Sequence, residues 1–174
     1  MNRLRLFRSW GMSLCAATGL FSLTGCPYTF TGASVPKHLK TIAIPLVDDQ
    51  SGFGEAGLRE RFTTELTNLF ISDNSLEVTD RTTADSILEG VITAVSDAPS
   101  VVGQGESVSK RRVTMTVRFI YQDMKVRKKL WEKSFSQWGD YESGGGLASQ
   151  RETGLQESIK KVTEDILLET VSGW

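Results

Sequence analysis

From residue 40 to residue 47 the apolar positions Ile42, Ile44 and Leu46 recur at every second residue, a period that predicts a strand. Pro45 suits its end or an edge position, because proline brings no N–H to a ladder. After a loop containing Gly and Asp (Asp48 to Gly54), the period changes. Leu58, Phe62, Leu66, Leu69 and Phe70 recur at steps of four and three, the signature of an amphipathic helix from about Glu55 to Ile71. Arg59, Glu60, Glu65 and Asn68 fall off that stripe, and Asp73-Asn74 stops it. Leu76 to Thr79 then reads as a short strand and Asp85 to Ser96 as a longer one, with Ile87, Val91 and Val95 sharing a face. The most regular alternation lies between Val108 and Tyr121, where Val113, Met115, Val117, Phe119 and Tyr121 interleave with Thr114, Thr116 and Arg118. Leu130 to Trp138 is its partner across the polar stretch Asp123 to Lys129, an antiparallel hairpin. A second helix is predicted from Ser149 to about Val171, with Leu155, Ile159, Val162, Ile166 and Val171 as its apolar stripe. The fold expected is α+β: a two-layer sandwich, two helices packed on one face of a mainly antiparallel sheet of four to five strands.

The N-terminus follows a different pattern. Arg3, Arg5 and Arg8 precede an apolar stretch from Trp10 to Leu23 that Ser, Thr and Gly interrupt. Spanning a bilayer takes about 20 consecutive apolar residues, whereas a basic head, a short apolar middle and small residues before a cut site make a secretory signal. The segment closes on Leu23-Thr24-Gly25-Cys26, the form of a bacterial lipoprotein signal, in which the cysteine after the cut receives lipid. Cys15 fits poorly because bulky Leu14 precedes it. The chain thus divides into a cleaved signal at 1–25, a lipidated tether at 26–39 and a single domain at 40–174. One acyl chain holds a protein to a membrane only marginally and several hold it stably. Pro27 stands where an Asp would retain a lipoprotein at the inner membrane, so the anchor is expected in the outer membrane, facing the periplasm.

Composition narrows the chemistry. Cleavage leaves 149 residues, and it removes three of the 20 basic residues and none of the 21 acidic ones, for a mature net charge of −4. That balance excludes the basic footprint of a nucleic-acid binder. Cys26 would be the sole remaining cysteine, which leaves no disulfide and no cysteine metal site. The single histidine, His38, has no partner at metal-ligating or catalytic spacing and reads as a solvated loop residue. Gly103-Gln104-Gly105 and Gly144-Gly145-Gly146 lack the strand and Lys-Ser/Thr context of phosphate loops and read as turns or flexible loops. No supported nucleophile stands out, so neither an enzyme nor a cofactor is expected.

Two basic groups remain as candidates. Lys125, Arg127, Lys128 and Lys129 crowd the predicted hairpin turn, and Arg111 and Arg112, beside Lys110, lie toward the other end of the same strand. Such groups donate charge-assisted hydrogen bonds to phosphate, as on a phosphorylated glycolipid. The plainer reading is a solvated loop whose charge guards an exposed edge. Trp131 reads as core. Trp138 and Tyr141 read equally as core or as interface aromatics, and Trp174 ends the chain.

The run Cys26-Pro27-Tyr28-Thr29-Phe30-Thr31-Gly32-Ala33-Ser34-Val35-Pro36, with Lys40-Thr41-Ile42-Ala43-Ile44 after it, resembles the mature start of the LptE lipopolysaccharide-assembly lipoproteins. Phe62-Thr63 with Leu66, the strand around Gly90, Val113 to Val117, Trp131 to Ser136, and Asp140-Tyr141 extend the resemblance over nearly the whole mature chain. The resemblance implies an outer-membrane lipoprotein that plugs the LptD-type β-barrel translocon and helps deliver lipopolysaccharide to the cell surface, with two helices on a four-stranded sheet. It supplies no strict motif for lipopolysaccharide contact, so assigning that contact to Arg111, Arg112, Lys125, Arg127, Lys128 and Lys129 rests on their charge. A competing reading is a lipoprotein activator of a peptidoglycan synthase. Such proteins carry long Pro- or Gln-rich tethers, whereas about a dozen residues here reach only about 40 Å at full stretch. A subunit of a curli-like secretion pore would need long membrane-spanning hairpins, which the sequence does not show.

Overall fold

The computed structural model describes residues 35–102, 108–144 and 147–172, all within one folded unit, Gly32–Trp174. The signal segment, Cys26, the tether up to Ser34, the glycine run at 103–105 and Trp174 lie outside the described residues. Eight elements follow in order: β1 (Thr41–Ala43), β2 (Asp48–Asp49), α1 (Leu58–Asp73), β3 (Glu77–Val78), β4 (Ser86–Val102), β5 (Val108–Asp123), β6 (Lys128–Glu142) and α2 (Leu147–Ser172). The class is α+β with two helices, as expected, on a mixed six-stranded sheet. Its main path runs β3-β1-β4-β5-β6, with β2 also paired to β4.

The mixed character corrects the expected sheet. β4, β5 and β6 form a long antiparallel meander. β1 pairs parallel with both β3 and β4, and β2 pairs parallel with β4. Of the stretch from 40 to 47 read as one strand, only Thr41–Ala43 is strand, and a second short strand, Asp48–Asp49, follows in what was read as a loop. Pro45 falls between them, and both lie beside β4 at separate registers, Ile42 opposite Ser86 and Asp48 opposite Val91.

The apolar alternation in β5 places Val113, Met115, Val117, Phe119 and Tyr121 on the inner face, all fully buried. β4 meets them with Leu88 opposite Tyr121 and Ile92 opposite Val117, until a register shift between Ile92 and Ala94. That bulge adds a residue, which inverts the sidedness beyond it. Val95 therefore lies opposite Met115, on the core face, whereas Val91 lies opposite Arg118 on the other. The shared face predicted for Ile87, Val91 and Val95 does not survive the bulge.

Both helices cover the inner face. α1 starts at Leu58, behind Gly57 in a left-handed conformation (φ 72°), and ends at Asn74 (φ 57°), whose N–H bonds the Phe70 carbonyl at 3.0 Å. Its buried residues Leu58, Phe62, Leu66 and Phe70 recur every four positions, and Phe62 stacks on Phe119 with ring centroids 6.0 Å apart. α2 buries Leu155, Ile159, Val162 and Ile166, with Ser158, Thr163 and Thr170 beside them. Those three hydroxyls donate to carbonyls of their own helix, at Leu155, Lys160 and Ile166, so their burial leaves no bare donor. Gly139 and Gly154 let α2 approach β6: a Cβ on Gly139 would collide with the Gly154 carbonyl.

Candidate functional site

The six predicted cations fall into two groups at opposite ends of β5. Arg111 and Asp123 are separated by roughly 40 Å of extended strand, at about 3.3 Å per residue. The structure therefore holds two sites with different chemistry.

At the first end, Arg111 is spoken for. Its Nε donates to Asp97 Oδ1 at 2.9 Å and to the Tyr141 hydroxyl at 3.0 Å, and Nη2 donates to the Asp97 carbonyl at 3.2 Å. Tyr141, buried, donates in turn to Asp97 Oδ2 at 2.6 Å. Burial and this bond to a carboxylate raise the Tyr141 phenol above its ordinary value. From α2, Arg151 bonds Glu55 at 2.9 Å and lies over the Phe53 ring at 4.6 Å, and Arg61 of α1 pairs with both Glu55 and Glu152. The cluster ties three strands, both helices and the loop before α1 together.

Arg112, on the opposite sheet face, holds Asp140 through a two-pronged contact at 2.7 and 2.9 Å and lies 5.0 Å from the centre of the Trp138 ring. The Arg112 bond keeps the Asp140 carboxyl below its ordinary range. An open groove of about 310 Å³ beside it is lined by Lys110, Asp140, Tyr141, Glu142, Gln150 and Thr153. Lys110 faces Glu142 at 3.3 Å, so the groove carries charges of both signs and is no cation cradle.

At the other end, β5 and β6 join through the four residues Met124 to Arg127, the last at φ 53°. Asp123 shapes this turn by accepting from the backbone N–H of Lys125 (2.8 Å) and Val126 (3.0 Å). The Asp123 side chain is only 1% exposed, and it also receives the imidazole Nε2 of His38. Burial acts to raise this carboxyl, yet the bonds from His38 and the two N–H groups outweigh it and hold it below the ordinary range. His38 was expected as a plain solvated residue. Its ring is half exposed, but its other side closes on Asp123 and fixes the segment before β1 to the hairpin.

A second contact doubles the first. Lys125 Nζ reaches the His38 carbonyl at 2.7 Å and Asp85 Oδ1 at 2.9 Å. Asp85 accepts from the backbone N–H of Lys40 at 2.8 Å and of Thr41 at 3.3 Å. The Lys125 bond, foremost, depresses the Asp85 carboxyl, with Lys40 and Thr41 assisting against burial. Below these lies Tyr121, whose hydroxyl donates to Ser86 at 3.1 Å and whose phenol burial pushes up to about 12. Asp85 and Asp123 were not singled out from sequence, and His38 was read only as a solvated loop residue. Their side-chain partners lie tens of residues away, so no local spacing marks the pairs.

Lys129 pairs with Glu132 at 2.7 Å. Of the six candidate cations, only Arg127 and Lys128 make no ion pair among the described residues, and both are exposed. Among the aromatics, Trp131 is half-buried and packs against the core and Phe135, Tyr141 is buried, and Trp138 is 42% exposed. Among the described residues no group of three or more His, Cys, Asp or Glu is placed to hold a metal ion. None of the described helices is long and apolar enough to cross a membrane.

Solved structures share this fold. The protein CT253 from Chlamydia trachomatis superposes with a TM-score of 0.58 at 12% identity, over 75% of this chain and 95% of that one. The protein XCC0632 from Xanthomonas campestris gives 0.57 at 11%, over 80% and 87%. The rare lipoprotein B from Shewanella oneidensis gives 0.50 at 15%, over 75% and 92%. No curated protein matches the sequence significantly. The family model described as LptE, lipopolysaccharide-assembly, matches residues 39–170. That span begins after Cys26–Pro36, so the match is independent of that N-terminal run and rests on the folded domain. The chain belongs to the LptE family of lipopolysaccharide-assembly proteins.

Proposed function

We propose that this protein is an outer-membrane lipoprotein, anchored through acyl chains on Cys26, that sits in the lumen of an LptD-type β-barrel and supports insertion of lipopolysaccharide at the cell surface. The role is structural and binding, with no chemistry of its own. Family membership supports the lipopolysaccharide-assembly part. The observation that carries the plug is the sheet's outer face, which neither helix covers. There Arg112, Thr114, Thr116 and Arg118 of β5 stand beside Asp140, Trp138, Ser136 and Ser134 of β6. Thr116 and Ser136 bond each other at 3.0 Å, and the exposed Trp138 is the one large aromatic ring in this row. A polar sheet face carrying an aromatic suits a barrel interior, which is polar and water-filled.

Within this reading, Arg127 and Lys128 take the lead in meeting lipopolysaccharide phosphates, because the other four cations already have carboxylate partners. A photo-crosslinker at Thr116 or Ser136 in intact envelopes tests the plug. The expected product is an adduct with a large outer-membrane barrel, and depletion of the protein should trap lipopolysaccharide inside the cell. Recovery as a free lipoprotein, with normal surface lipopolysaccharide after its loss, would overturn it. An adduct with a peptidoglycan synthase would instead favour the activator role.

A further inference from the structure

The tip of the β5–β6 hairpin carries two apolar side chains that the barrel role does not use. Met124 is 40% exposed and Val126 62%, although both are apolar. Lys125, Arg127, Lys128 and Lys129 surround them, all exposed. Two apolar side chains at the apex of a turn, ringed by cations on long aliphatic stems, match the composition of a segment that settles at a lipid–water interface. Anionic headgroups add attraction for each nearby cation.

The tether fixes what this tip can face. His38 closes on Asp123 at the base of the turn, and Lys125 of the turn itself holds the His38 carbonyl. The segment around His38, three residues after Val35, is thus held beside the tip. Nine residue steps separate Val35 from Cys26, at most about 32 Å at full stretch. With Cys26 acylated, the leaflet that holds the anchor lies within that reach of Val35.

We propose that the hairpin tip rests on the phospholipid leaflet carrying the Cys26 acyl chains, with Met124 and Val126 entering the interface and Arg127 and Lys128 meeting lipid phosphates. This rests on the acylation of Cys26 in the reading above and goes beyond its barrel. Lipopolysaccharide offers phosphates of the same chemistry, but the short tether points to the phospholipid surface.

The test uses the full lipidated protein in vesicles of phosphatidylethanolamine and phosphatidylglycerol that contain no lipopolysaccharide. The acylated chain has no free thiol of its own, so Val126→Cys, or Glu142→Cys at the opposite end of the sheet, takes a fluorescent label singly. Quenching by lipids that carry a nitroxide in the upper acyl chain is expected to be several-fold greater at position 126 than at 142. It should fall when Arg127→Glu and Lys128→Glu are added. Equal quenching at the two positions would overturn the proposal. So would quenching at 126 that arises only after lipopolysaccharide is supplied, since the tip would then serve that ligand alone. Failure to crosslink a barrel in cells would sink the plug without touching the vesicle result. An unacylated Cys26, seen by mass spectrometry, would sink both.

Discussion

His38 and Asp123, 85 residues apart in sequence, meet side chain to side chain, and the carboxylate between the tether and the turn is almost wholly sequestered from water. Removing the charge while keeping the shape isolates what this contact does. Asp123→Asn is expected to lower stability by about 1–3 kcal/mol, the range for breaking a buried charge-assisted hydrogen-bond set. Limited proteolysis should cut faster between Val35 and Lys40. His38→Ala should cost less, because half of the ring already faces solvent and Asp123 keeps its two backbone donors.

Acid should weaken the same region. Asp85 and Asp123 both have carboxyl groups depressed in the folded state. The stability they supply is present above the ordinary carboxylate range and drains away as pH falls through their lower folded values. Thermal melts between pH 7 and pH 3 are expected to show the wild type falling steeply below about pH 4. The Asp85→Asn, Asp123→Asn double variant should start lower at pH 7 and decline less, so that the two curves approach each other in acid. Parallel curves would refute the assignment.

Gly90 sits directly under the Phe119 ring, and a methyl added there would overlap several of its carbons. Gly90→Ala is predicted to destabilise by about 1–3 kcal/mol, the usual cost of overpacking. Phe119→Leu alone should also destabilise, but the pair should be less harmful than the sum, a coupling that a double-mutant cycle measures.

Charge reversal separates the two ends of β5. Arg111→Ala removes the cation that Asp97 and Tyr141 share, so it should lower the melting temperature and leave lipopolysaccharide binding near wild type. Arg127→Glu with Lys128→Glu should do the reverse: an unchanged melt and a several-fold loss of binding that shrinks further as salt rises. Equal loss from both variants would dissolve the distinction.

What could be read along the chain was whatever depends on period. Val113 to Tyr121 announced β5, and Leu58 to Phe70 announced α1, because burial on one face leaves a repeat of two or of three to four. Strand direction leaves no such mark. Ile42 and Asp48 carry nothing that says their neighbour is β4 in parallel, and the bulge beyond Ile92 turned Val95 to the core without a glycine or proline to signal it. The basic clusters were visible as charge, but whether a cation is free depends on its partner. Asp97 claims Arg111 from another strand, and Asp85 claims Lys125 across 40 residues. Arg127 and Lys128 emerge only by subtraction, once the fold has allotted the rest.

The parallel pairing of β1 and β2 with β4 also sets an order of events. Ile42 and Asp48 find their neighbours on β4 at Ser86 and Val91, and β1 meets only the two-residue β3 before then, so the first strands of the domain cannot join the main sheet until more than forty further residues have arrived. The β4-β5-β6 meander closes through near-neighbour turns and can assemble by itself. Contacts of short sequence separation form sooner than distant ones. In any chain that emerges N-terminus first, the segment from Lys40 to Val78 waits for the strand that follows it, and it stays open to other partners for longest.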